Sequence, residues 1–284
     1  MPSGPVPSAD LADVRRRYAE HVTHVAGARD PRLLEAFAGV PRELFIGPPP
    51  WLYWGERGYQ PVADSDPARL YDDIVVALRP DDGINNGQPS LHAACLAALA
   101  VRHGDRVLHV GCGTGYYSAI LAELAGPEGW VAAYDLVPEL VGAARRNLEP
   151  WPTAVVERRS ACLPPLPRSD AIYVCAGATR PLAAWLDALR PGGRLVFPLT
   201  GRDGWGVVVR IERDGERWWA RVVSRCGYVD CVDARDDDEA RRLSQALVTP
   251  MLPKLLSLRR DTAPDTSCWV AGDGWWLSTD PPPE

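Results

Sequence analysis

Val107-Leu108-His109-Val110-Gly111-Cys112-Gly113-Thr114-Gly115-Tyr116 decides the fold. A short apolar run passes straight into three glycines at alternate positions, and a helical pattern starts at Tyr117. Glycine there serves two ends: a ligand reaches bare backbone where no Cβ intervenes, and a tight strand-to-helix turn admits φ > 0. Free N–H groups at the helix start favour a carboxylate or phosphate. A dinucleotide fingerprint needs a glycine where Tyr116 stands. The G-x-G-x-G spacing therefore points away from NAD and toward S-adenosyl-L-methionine. A phosphate loop of the Gly-Lys-Ser/Thr kind is not spelled here.

Outward from the loop, short apolar strands and helices alternate. Strands are expected at 107–110, 130–134, 154–157, 171–175 and 194–199, with helices at 117–124, 138–148 and 180–189. That order predicts a mostly parallel sheet covered on both faces. Asp135 stands 20 residues after Gly115 at the end of the second strand, where an acid accepts both ribose hydroxyls; it also reads as a cap for the helix at Pro138. Ahead of the loop, Pro89–Val101 predicts a helix opened by proline. Behind it, 206–211 and 218–223 predict a hairpin through Asp214-Gly215, and Asp236–Glu239 predicts a helix start. Trp269–Leu277 is a further apolar segment, and Trp51–Tyr59 reads as a packed surface lid. Met1–Ser8 and Asp280–Glu284 read as frayed ends.

The chain has 284 residues, 46% hydrophobic and 24% charged, within the range of a globular protein. A net charge of −6 argues against a nucleic-acid backbone as main partner. Seven scattered cysteines, an odd number, read as reduced thiols of a cytoplasmic protein. Cys226 and Cys231 make half a metal site with nothing to complete it. No run of about 18 apolar residues predicts a membrane span.

Three stretches carry a resemblance. They are Val40-Pro41-Arg42-Glu43-Leu44-Phe45, 71–93 with Gln88-Pro89, and 107–198 with Val137-Pro138-Glu139-Leu140. Over about residues 30–200 the chain resembles protein-L-isoaspartate O-methyltransferases. The resemblance implies an α/β, class I S-adenosylmethionine-dependent methyltransferase fold, Rossmann-like, with a mostly parallel seven-stranded sheet. It also implies an N-terminal segment that covers the substrate, expected here as a helical cover over residues 1–80 ahead of a core over 81–224; the family's members often end soon after the sheet, whereas this chain adds a C-terminal extension over 225–284. Methyl transfer to a carboxylate of a protein or peptide follows as the expected activity.

Within that resemblance, His109, Gly111, Cys112, Gly113, Gly115, Asp135, Leu136, Ser160 and Ala161 fall at cofactor positions, and Asn85, Asn86, Gly87 and Gln88 form the acceptor loop. The chain departs from the family where Asn85-Asn86-Gly87-Gln88-Pro89 replaces Thr-x-Ser-Gln-Pro, where His109 replaces a glutamate, and where Arg159 or Ser160 replaces an acid. A carboxylate acceptor is already ionised and needs no general base, which suits a loop of amides. A phenol or amine would want a base, with His92 and His109 as candidates. Two other readings stay open: a methyltransferase of specialised-metabolite or modified-peptide biosynthesis, and a cofactor-binding module without catalysis.

Overall fold

The protein is described by a computed structural model over residues 10–248 and 251–283. Met1–Ser8 and Glu284 lie outside the described residues. The expected alternation is present. Strand β5 (Arg106–Val110), helix α5 (Tyr116–Ala125), β6 (Trp130–Asp135), α6 (Pro138–Asn147), β7 (Ala154–Arg158), β8 (Ser169–Val174), α7 (Ala183–Ala188) and β9 (Leu189–Thr200) follow in order. Strands β7, β6, β5, β8 and β9 lie side by side and parallel. The hairpin β10 (Trp205–Asp214) and β11 (Arg217–Gly227) continues the sheet antiparallel. These are the seven expected strands.

The sheet does not stop there. β12 (Ser257–Arg260), β13 (Cys268–Gly272) and β14 (Trp275–Ser278) extend it to ten strands in the order β13-β14-β12-β11-β10-β9-β8-β5-β6-β7. The 224/225 boundary falls inside β11, so the extension grows from the core sheet. The tail is not frayed over its described part: Ser257 Oγ donates to Asp280 O at 2.7 Å and Arg259 to Pro281 O at 2.7 Å. Helix α7 is also shorter than the apolar spacing suggests. Pro181 disfavours helix at Arg180, and Leu182 stays extended with ψ 136°.

Alternate strand residues feed two cores. Val107, Val131, Ala171, Val196 and Val208 face one side, against helices α1 (Leu11–Val25), α2 (Pro31–Gly39) and α4 (Pro89–Leu99) with α5. Leu108, Ala132, Ile172, Leu195 and Val207 face the other, under α7 and helix α8 (Asp237–Ala246). This is the period-2 consequence of a sheet buried on both faces. The acidic run 236–239 is a helix start as expected: Asp236 Oδ1 accepts from Asp238 N and Glu239 N at 3.0 and 2.9 Å. Glu239 turns inward and accepts from Thr179 Oγ1 and Trp275 Nε1, tying the last hairpin to the core.

Ahead of the core, α3 (Glu43–Ile46) leads to a hairpin of β1 (Leu52–Gly55) and β2 (Gly58–Pro61), then to the pair β3 (Ala77–Arg79) and β4 (Ile84–Asn85). The aromatic segment at 51–59 is this hairpin. Cys226 does not pair with Cys231; Cys162 Sγ lies 3.7 Å from Cys231 Sγ. Among the described residues no group of three metal-ligating side chains occurs, and no helix is long and apolar enough to cross a membrane.

Candidate active site

A cleft of about 670 Å³ opens beyond the carboxyl ends of β5 and β8, the ligand position of open α/β sheets. Its floor is Gly111, Cys112, Gly113 and Cys175, its near wall Asn85 to Gln88 with His92, and its far wall Trp205 and residues 225–229. Trp54 and Trp205 stand exposed at its rims, 59% and 65% accessible.

The glycine loop has the backbone that its sequence anticipates. Gly111, Gly113 and Gly115 have φ of 73°, 55° and 97°. Gly113 N donates to Asp135 Oδ2 at 2.8 Å, and Val137 N to Oδ1 at 3.0 Å. Asp135 thus both caps the turn into α6 and braces the loop, and burial raises its pKa. Gly115 serves helix packing instead. A Cβ on it would sit 2.9 Å from Leu148 Cδ1, so it permits α5 to close on α6. Gly115→Ala adds that clash to a left-handed φ and is expected to cost about 1–3 kcal/mol, read from urea unfolding.

The loop Asn85–Gln88 is organised from far upstream. Arg42, fully buried, donates to the carbonyls of Leu70, Asp72 (2.9 Å) and Ile74 (2.7 Å), and its own N–H donates to Tyr71 Oη. The segment so held presents Asp73, which accepts from Gln88 Nε2 at 2.9 Å, Ser90 N at 2.7 Å and Ser90 Oγ at 2.6 Å. Asp73 therefore fixes the loop and caps α4. Sequence reasoning missed it, though the adjacent pair Asp72-Asp73 ahead of the loop was a visible signal.

Those bonds change what the loop offers. Gln88 is committed to Asp73. Asn85 Oδ1 accepts from Gly87 N at 2.9 Å, so that N–H is not free, and Asn85 Nδ2 reaches Tyr59 Oη and Gly83 O. Asn86 Oδ1 accepts from Val76 N at 2.8 Å, leaving buried Asn86 Nδ2 without a partner.

Other expected positions lie off the cleft. His109 is 1% exposed; Nδ1 meets Ser118 Oγ at 2.8 Å, Nε2 meets Cys175 Sγ at 3.3 Å, and its ring stacks on Tyr173. It is an interior residue whose two nitrogens are both used within the fold. Asp135, Leu136, Ser160 and Ala161 lie beyond the cleft wall toward β6 and β7. Leu136 is 38% exposed, Ser160 Oγ donates to Asp233 at 3.1 Å, and Ala161 O accepts from Trp185 Nε1. Burial lowers the pKa of both His92 and His109 to about 3. The unfolded chain thus binds protons that the folded one refuses, so stability rises with pH across this window. Acidification from about pH 6.5 toward 3 is expected to lower the urea midpoint progressively.

Residues 60–236 match the model of the family described as protein-L-isoaspartate(D-aspartate) O-methyltransferase (PCMT). The chain belongs to this family. A protein-L-isoaspartate O-methyltransferase of Ignicoccus hospitalis is 31% identical over 203 residues, 70% of this chain and 88% of that protein. One of Methanoregula boonei is 35% identical over 225 residues, 78% and 94% of the two chains. A solved protein-L-isoaspartate O-methyltransferase superposes with a TM-score of 0.65 at 19% identity, covering 86% of this chain and 73% of that one. A PCMT structure from Plasmodium falciparum, in complex with S-adenosyl-L-homocysteine, gives 0.62 at 18%, covering 77% and 98%. The class I methyltransferase fold is shared with both.

This PCMT-family methyltransferase carries its cleft floor inside the matched segment. Trp54 and Tyr59 on the β1–β2 hairpin, and the edge strands β12 to β14, lie outside it.

Proposed function

We propose that this PCMT-family member is an S-adenosyl-L-methionine-dependent carboxyl O-methyltransferase whose acceptor is an aspartyl or isoaspartyl side chain of a protein or peptide. The observation that carries the reading is the pairing of a glycine loop at the cleft floor with a wall, Asn85 to Gln88 and His92, of uncharged polar groups that includes no effective base. S-adenosyl-L-methionine supplies an electrophilic sulfonium methyl group. Asp135 suits its ribose hydroxyls, Gly111 to Gly113 give close backbone approach, and exposed Leu136 with Ser160 and Ala161 suits the adenine side. Positioning then does most of the remaining work.

The chemistry of the wall supports a carboxylate over an acceptor that must lose a proton. His92 and His109 stay neutral at physiological pH but with pKa near 3 are poor bases. Burial pushes the thiols of Cys112 and Cys175 and the phenols of Tyr116, Tyr117 and Tyr228 well up. A carboxylate needs none of them to deprotonate it. The rate is therefore expected to show no histidine inflection between about pH 6 and 8, measured as kcat/KM on a peptide.

The aromatic rims at Trp54 and Trp205 support an extended peptide as substrate, and the net charge of −6 supports protein over nucleic acid. Seven scattered thiols support a reducing, cytoplasmic setting. Labelled cofactor is to be incubated with an isoaspartyl peptide and its aspartyl counterpart. Base-labile methyl ester on either is the expected result; no ester on any carboxylate peptide overturns the reading.

A further inference from the structure

Gly87 and His92 form one unit. A Cβ built on Gly87 would fall inside the contact radius of His92 Nε2, so the imidazole edge occupies the space that a side chain at 87 would fill. Gly87 also holds φ at +70°, which disfavours any side chain there. The ring is held firmly. It stacks on Tyr117 with centroids 3.8 Å apart and planes 5° from parallel, meets Tyr173 and Tyr228 edge-on, and is 3% exposed.

The two ring nitrogens have different fates. Nδ1 lies 2.6 Å from Tyr173 Oη. Burial keeps that phenol protonated, and it donates to Nδ1 in the tautomer that carries the ring proton on Nε2 and accepts from Nδ1–H in the other. Nε2 has no hydrogen-bond partner among the described residues and borders the cleft. Asn86 belongs to the same wall, and its amide nitrogen is buried without a partner. A ring nitrogen without a protein partner at the cleft wall is open to an acceptor on the substrate, where a buried one would ordinarily be paired within the fold.

We infer that His92, in the tautomer with its proton on Nε2, is the acceptor-recognition residue that holds the substrate carboxylate at the wall of the cleft. Gly87 is glycine so that this imidazole reaches the substrate. A neutral donor fits this role because it orients a carboxylate oxygen without neutralising the charge that attacks the methyl group. The inference rests on the carboxyl-methyltransferase reading and assigns its specificity to a residue outside the acceptor loop.

Asparagine can mimic Nδ1 of histidine and glutamine can mimic Nε2. His92→Asn is expected to raise KM for the isoaspartyl peptide by about tenfold or more, with cofactor Kd by calorimetry within about twofold. His92→Gln is expected to stay within about threefold of the parent on the same peptide. Gly87→Ser alone clashes and loses activity, whereas Gly87→Ser with His92→Ala places a hydroxyl in the vacated space and recovers peptide KM relative to either single variant. A merely structural histidine would lower Tm and weaken cofactor and peptide alike, with no rescue by glutamine. Unchanged peptide KM in His92→Asn, or equal loss of cofactor binding, overturns the inference while ester formation by the parent leaves the general reading standing. No ester from the parent protein on either peptide overturns both.

Discussion

Asp135→Ala is expected to lower affinity for S-adenosyl-L-homocysteine by about two orders of magnitude, roughly 3 kcal/mol, in calorimetry. The carboxylate sits at the end of β6 and braces the glycine loop through Gly113 N and the turn into α6 through Val137 N. Truncation leaves both N–H groups unpaired and, in the proposed cofactor pose, also removes the acceptor of the ribose hydroxyls. Loss of binding therefore exceeds one ordinary hydrogen bond. Because burial raises the pKa of Asp135, affinity is also expected to fall on acidification from above the usual carboxylate range. Asp135→Asn, which has no proton to gain there, is expected to bind weakly with a flatter pH dependence. Parent-like affinity in Asp135→Ala would remove this residue from the cofactor site.

Arg194→Met carries the largest expected effect on stability, about 3–5 kcal/mol in urea unfolding. Arg194 on β9 forms an ion pair with Asp105 just before β5, and its side chain is 2% exposed against 11% for its partner. The same Asp105 oxygen accepts from Arg102 N at 2.9 Å. Removing the guanidinium leaves a buried carboxylate with one backbone donor, and that uncompensated charge is the main cost. A loss of that size is a large share of a typical domain's stability. Replacing both partners with apolar residues is expected to recover part of it, because the desolvation penalty disappears with the charges. An Arg194→Met protein with an unchanged urea midpoint would contradict the account.

The parallel half of the sheet was legible because its signals are local. Apolar runs of strand length, a proline at the first turn of α4 and α6, and glycines at alternate positions after β5 each act within a few residues of themselves. The hairpin through Gly215 and the start of α8 at Asp236 followed for the same reason. Three edge strands were not legible: Ser257–Arg260 is only four residues long, and its ladder with β11 registers Trp219 against Ser257. A strand that short gains its identity from β14 beside it, not from its own pattern.

The sequence by itself determined the glycine loop, the acid at the end of β6 and the position of the loop Asn85–Gln88, since each depends on backbone conformation that nearby residues impose. Only the tertiary structure decided which of those groups remain available. Gln88 is consumed by Asp73, 15 residues away, and His109 by Ser118 and Cys175. His92 is held at the cleft wall by Tyr173, 81 residues away. A side chain's free donors are what remains after its neighbours in space have been satisfied, and those neighbours are set by the packing of the whole sheet and its helices.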